Sequence, residues 1–132
     1  MSREDQRFQL KLEIIQSPKS ITVPLVSANY SLARHMETSY SGPNDYYINV
    51  VPKSFSQDLL LLISEPAATY SGFILITDSY GQEKVRRIDL TDFHFASVSE
   101  GFYNYNNSES TCSLIMYAKG IMIDRIPIKK EA

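Results

Sequence analysis

The chain has 132 residues, a formal net charge of -2 and 43% hydrophobic residues, the profile of one domain (1–132) that buries roughly two thirds of its unfolded surface. Its 13 Lys and Arg are outnumbered by 15 Asp and Glu, with no long basic run, and this argues against a nucleic-acid groove or an anionic membrane surface as partner. Ser2 to Arg7 is charged with no apolar run behind it, and no stretch approaches the roughly 18 apolar residues of a membrane span, so a soluble cytoplasmic protein without a signal peptide is expected.

In chain order, Phe8, Leu10, Leu12 and Ile14 alternate with Gln9, Lys11 and Glu13, the period of a strand with one buried face. Gln16 to Ser20 makes a turn. A second strand is predicted from Ile21 to about Tyr30, with Pro24 marking an edge or a bulge and with Val26, Ala28 and Tyr30 sharing a face. Ser31 to Pro43 lacks periodicity and reads as a long loop, a candidate contact element. Tyr46 to Val51 resumes as strand and Pro52 closes it.

The one credible helix is Ser54 to Glu65. Ser54 with Gln57 three residues on reads as a capping box, Asp58 lies in the first turn and Pro66 ends the run. Its interior, Leu59 to Ile63, is apolar around most of the circumference, whereas a surface helix needs a single apolar stripe. Coverage on a second side, by a loop or another subunit, is therefore expected.

Beyond the helix, Gly72 to Thr77 is a near-continuous apolar strand, read as buried on both faces, and Asp78-Ser79-Tyr80-Gly81 forms a hairpin turn. Lys84 to Leu90 pairs back with a bulge or twist at Arg86-Arg87, where Val85 and the Ile88/Leu90 pair fall out of phase. Phe93 to Ser99 reads as a further strand and Glu100 to Glu109 as a polar, aromatic turn region. A last hairpin joins Ser110–Ala118 to Ile121–Ile128 through Lys119-Gly120. The fold class is mainly β: a small barrel of about eight strands with one helix.

From Tyr46 onward the order of features resembles the tube protein of the type VI secretion system, the Hcp/TssD family, particularly its Bacteroidetes form. Tyr47 to Val51, the polar cap Ser54 to Asp58, the leucines 59–62 and the Tyr70-Ser71-Gly72 entry match the family's central strand, helix and following strand. Lys84 to Phe93 is similar to its next strand. Ala96-Ser97-Val98-Ser99-Glu100-Gly101-Phe102, followed by Ser113 to Ile121, resembles its closing serine-glutamate-aromatic motif and final strand pair; Phe8 to Ile15 and Leu25 to Ser31 match the first two strands. The main departure is Ala33 to Asp45, where many relatives carry an arginine- and glycine-rich loop and this chain has Tyr40-Ser41-Gly42-Pro43-Asn44-Asp45. The resemblance implies hexameric rings that stack into an inner tube, with a contractile sheath, a spike protein and small effectors as partners, and export without a signal peptide.

Little points to catalysis. Of two histidines, His35 falls in the long loop and His94 on the strand face opposite Phe93 and Phe95; both read as surface or structural groups, and their spacing matches no metal motif. The lone Cys112 reads as a core thiol. Asp89 and Asp92, three apart on a strand, point to opposite faces and read as solvated carboxylates rather than an acid/base pair. The expectation is a structural protein, not an enzyme, with no cofactor and no metal. Subunit-contact candidates are Leu60 and Leu61 on the helix and Tyr40, Tyr46, Tyr47, Tyr103 and Tyr105 near turns and loop ends, where an amphipathic ring provides contact area at low entropy cost. The competing class is a monomeric or dimeric barrel that holds a small apolar ligand inside, with the helix as lid.

Overall fold

The computed structural model describes residues 8–16, 20–32, 46–104 and 110–129. Among these residues seven strands, β1 (Gln9–Ile15), β2 (Ile21–Ser31), β3 (Tyr46–Pro52), β4 (Tyr70–Thr77), β5 (Lys84–Phe102), β6 (Ser110–Ile123) and β7 (Ile126–Pro127), accompany one helix, α1 (Gln57–Ile63). Their order is β3-β2-β1-β4-β5-β6-β7, every neighbouring pair antiparallel. A further β3–β6 pairing closes the first six into a barrel and leaves β7 outside. Closure satisfies the sheet edges that an open sheet would expose.

The alternation in the sequence becomes inside and outside. Leu12, Ile14, Ile48, Val50, Ile74, Leu90, Phe93, Leu114 and Met116 all point inward and are essentially inaccessible. Eight strands give an interior just wide enough for side chains to fill, and these six enclose a cluster of aliphatic and aromatic groups. Among the described residues, the groups that would line an interior ligand site pack against one another instead. Cys112 is buried too, and burial pushes its thiol pKa up.

The barrel of about eight strands is present with different boundaries, because two breaks read from the sequence are not breaks. At Thr91-Asp92 the chain does not turn. Asp92 adopts φ 50°, the extra residue is absorbed as a bulge against β4, and pairing with β6 continues through Thr91↔Gly120 and Phe93↔Ala118. Lys119-Gly120 is likewise mid-strand. The final turn lies at Asp124-Arg125, both with positive φ, the backbone of a two-residue hairpin turn. The bulge expected near Arg86 is present, centred on Val85, where the β4–β5 register shifts between Ile76 and Thr77. The Pro24 signal also marks a bulge, at Leu25/Ser27 against β3. That bulge flips the phase of β2, so Ala28 and Tyr30 come into register with Val50 and Ile48, Ala28 packed on the core and Tyr30 still 39% exposed, while Val26 in the bulge is left 60% exposed.

The helix is shorter than its sequence limits. Ser56, not Ser54, is the N-cap, its hydroxyl accepting from the Leu59 N–H at 3.2 Å, so the Ser54/Gln57 capping box does not form. The chain leaves β3 beside Leu25, where Lys53 N–H donates to the Pro24 carbonyl at 3.0 Å, and re-enters at Tyr70 of β4. α1 therefore spans the barrel end where β1 finishes and β2 begins, inserting Leu59 and Leu62 into the core. Tyr70 buttresses it, donating its hydroxyl to the Leu62 carbonyl at 2.9 Å; burial, with Glu65 nearby, raises the phenol pKa.

Candidate functional site

With the interior filled, what the chain offers to other molecules is its outer surface. α1 is the first such element. Leu59 and Leu62 face inward, and this leaves Leu60 (43% exposed) and Leu61 (67%) uncovered among the described residues. The apolar circumference is thus half used, as a helix awaiting a second partner would be. Asp58 and Leu61, three apart, share an outward stripe of α1, and Glu65, just past the Ser64 C-cap, extends it beside Ile21 and Tyr70.

The second element is the outer face of β2–β1–β4. Lys11 lies laterally opposite Pro24 on one side and Leu75 on the other, and Gln9 opposite Thr77. With Phe8, Val26 and Lys53 they line a groove of about 740 Å³. Phe8, expected on the buried face, lies just before β1 and is 58% exposed. The Asp78–Gly81 turn bounds the groove: Gly81 takes φ 72°, and the Asp78 carboxylate accepts from the Gln82 N–H at 2.9 Å, which holds its pKa below the usual range. Gln9 ties down the same turn through Nε2 to the Ser79 carbonyl at 2.6 Å.

A third surface lies on the opposite wall, across β3–β6–β5. Tyr47 packs edge-on against Tyr117 (5.8 Å between centroids) and Tyr117 stacks on His94 (6.0 Å). His94 is thus on the face away from Phe93 and Phe95, as its strand position implies, since those two rings meet each other and Tyr70. Asn49 shares the Tyr47 face, and its Oδ1 is buried without a hydrogen-bond partner.

The sequence-selected contact residues scatter over these surfaces. Leu60 and Leu61 share the exposed side of α1, Tyr47 sits in the aromatic row, and Tyr103 is exposed just past β5. Tyr46 is different: it is 3% exposed and its hydroxyl donates to the Ile128 carbonyl, so its ring belongs to the barrel interior and to the β7 tether rather than to a partner surface. Tyr40 and Tyr105, like His35 and the loop at 33–45, lie outside the described residues. The β2–β1–β4 groove was missed, because Phe8 alternates like a core residue and the bulge that exposes Val26 is invisible to a period-two count.

Asp89 is not solvated as expected but held by Arg87, whose Nε and Nη2 each approach Oδ1 to 3.1 Å while the guanidinium covers the Phe73 ring at 3.8 Å. This cation covers the outer side of β4, so the strand is half-buried there rather than packed under a second layer. Asp124 anchors the last turn: its Oδ1 accepts from the Arg87 N–H at 2.8 Å, and Arg86 (3.0 Å) and Lys84 (3.6 Å) flank it. That backbone hydrogen bond first, and the two cations after it, hold its pKa below the usual range. Among the described residues no group of His, Cys, Asp or Glu is arranged to hold a metal, and no helix is long and apolar enough to cross a membrane.

Solved structures superpose on this fold over most of its length. Hcp1 from Flavobacterium johnsoniae superposes with a TM-score of 0.72 at 13% identity, over 92% of this chain and 98% of that one. The fold is that of Hcp. Hcp1 from Salmonella typhimurium gives a TM-score of 0.66 at 11% identity, covering 88% and 85% of the two chains. The Hcp fold also extends to a chain of the sheath–tube complex of PVC, an extracellular contractile injection system in its extended state, with a TM-score of 0.61 at 11% identity over 88% of each chain. No protein-family model matches the sequence, and no curated protein is similar to it. The likeness to Hcp is therefore carried by backbone path over most of the chain.

Proposed function

We propose that this chain is a structural subunit of a contractile injection tube, a 132-residue Hcp-like domain that closes into hexameric rings and stacks into a channel for effectors. The observation that carries this reading is the likeness to Hcp over about nine tenths of the chain, shared with a component of a sheath–tube complex. The physical character of the molecule supports it. Among the described residues the barrel interior packs as a hydrophobic core, the outer faces carry exposed apolar side chains, and His94, Cys112, Asp78, Asp89 and Asp124 are engaged in packing, ion pairs and turn geometry. A subunit needs these properties, since its work is to bind copies of itself and then sheath and spike proteins. In this role it assembles in the cytoplasm and leaves through the machine rather than by a signal peptide, and it is not an enzyme.

Negative-stain images of the purified protein at high concentration test the reading. Annular particles of six-fold symmetry, some stacked into short tubes, are expected. Isolated globules at every concentration would count against it and return attention to a monomeric barrel.

A further inference from the structure

We infer that the outward stripe of α1 docks, in a second copy of this chain, into the groove on the outer face of β2–β1–β4. The inference rests on the tube-subunit reading and names the surfaces that would join neighbouring protomers. The two surfaces are complementary in chemistry. The stripe presents an exposed leucine, Leu61, flanked by two carboxylates, Asp58 and Glu65. The groove presents two ammonium groups, Lys11 and Lys53, around an apolar floor of Pro24, Val26 and Leu75 with Phe8 at one end. Among the described residues none of these four charges takes part in a salt bridge. Glu13, the carboxylate nearest Lys11 along β1, is engaged by the Thr22 hydroxyl at 2.8 Å, and Asp78 beyond the groove is engaged by backbone N–H groups. Both carboxylates keep their charge at the groove's edge, but among the residues that line it the charged ones are Lys11 and Lys53.

The helix cannot fill the groove of its own copy. Leu59 and Leu62 are fixed in the core, so the stripe points away at the end of β1 while the groove opens around its beginning. A contact in which one surface meets a different surface of the next copy is head-to-tail, the type that closes into a ring when the rotation allows. An apolar centre with a charged rim is the usual anatomy of such an interface, the leucine providing area and the charges fixing register and excluding wrong pairings.

The test uses charge reversal on the full-length protein, read by light-scattering mass and by circular dichroism. K11E/K53E sets acidic groove against acidic helix; D58K/E65K sets basic against basic. Each variant alone is expected to keep the wild-type spectrum and to need roughly a hundredfold higher concentration for assembly. An equimolar mixture is expected to regain the wild-type mass, because every contact in an alternating ring is again complementary. Should a reversal fail to fold, the neutral variants K53Q and D58N give the same answer at roughly tenfold weakening each. Folded variants that assemble like the wild type, or a mixture that stays dissociated, would overturn the docking while leaving the tube reading intact; the groove would then serve another partner. A wild-type protein that never assembles would overturn both.

Discussion

At Gly72 the backbone of β4 passes so close to β1 that an added Cβ would lie 2.1 Å from the Glu13 carbonyl oxygen. The contact is backbone against backbone within a ladder of seven paired residues, so it cannot be relieved by a rotamer change. Gly72→Ala is expected to cost about 3 kcal/mol, read as a lower urea midpoint with an unchanged slope. Asp124 acts through charge. Its pKa is depressed in the folded state, so its stabilisation is present above the unfolded carboxylate value near 4 and is lost as pH falls through the folded one. Asp124→Asn keeps a residue type that tolerates positive φ and removes the charge. The fall in urea midpoint between pH 7 and pH 3 should therefore be smaller in the variant than in the wild type; an identical fall would show that the carboxylate does not contribute in this way. Single residues were only partly legible beforehand. The Asp78–Gly81 turn announces itself by composition, whereas the capping role passes from Ser54 to Ser56 because two serines with equal chemistry compete and only the path out of Pro52 decides between them.

At the scale of elements, the period-two pattern located the strands and blurred where they end. β5 is 19 residues long, with irregularities at Val85, Thr91-Asp92 and Ala96. Each shifts the inward phase, so a count of alternation reads one bent strand as two. Gly120 misled for a related reason: glycine is usual in turns, but here it pairs with Thr91 inside β6, and the turn falls on Asp124-Arg125, where both residues reach positive φ through the hydrogen bonds that Asp124 makes to Arg87. The helix was legible as an element, and the second-side cover expected from a loop or another subunit is not supplied among the described residues. Its two sides are expected to behave oppositely. Leu59→Ala removes a fully buried side chain and should destabilise the fold by about 2–5 kcal/mol. Leu61→Ala should change protomer stability by no more than about 0.5 kcal/mol in urea unfolding below the assembly concentration. Leu61→Glu should leave that fold intact and abolish rings; rings that persist would remove α1 from the contact.

For the molecule as a whole, closure by the β3–β6 pairing is the decisive event. It brings segments about seventy positions apart into register, Tyr46 against Ala118 and Val50 against Leu114, and no local signal in the chain announces such a pairing. What the sequence did hold was the order of segments, and that order was sufficient for the resemblance to Hcp. The contact surface was harder to read, since the groove is assembled from β1, β2, β4 and the residue after β3, and exists only once the barrel has formed. The central claim is that the filled barrel is a building block whose outer faces are made for copies of itself. The most direct measurement is the mass of the wild-type protein by light scattering across a concentration series. The account predicts a species near six times the 15.0 kDa protomer, and a mass that stays at one protomer up to the highest concentration would contradict it.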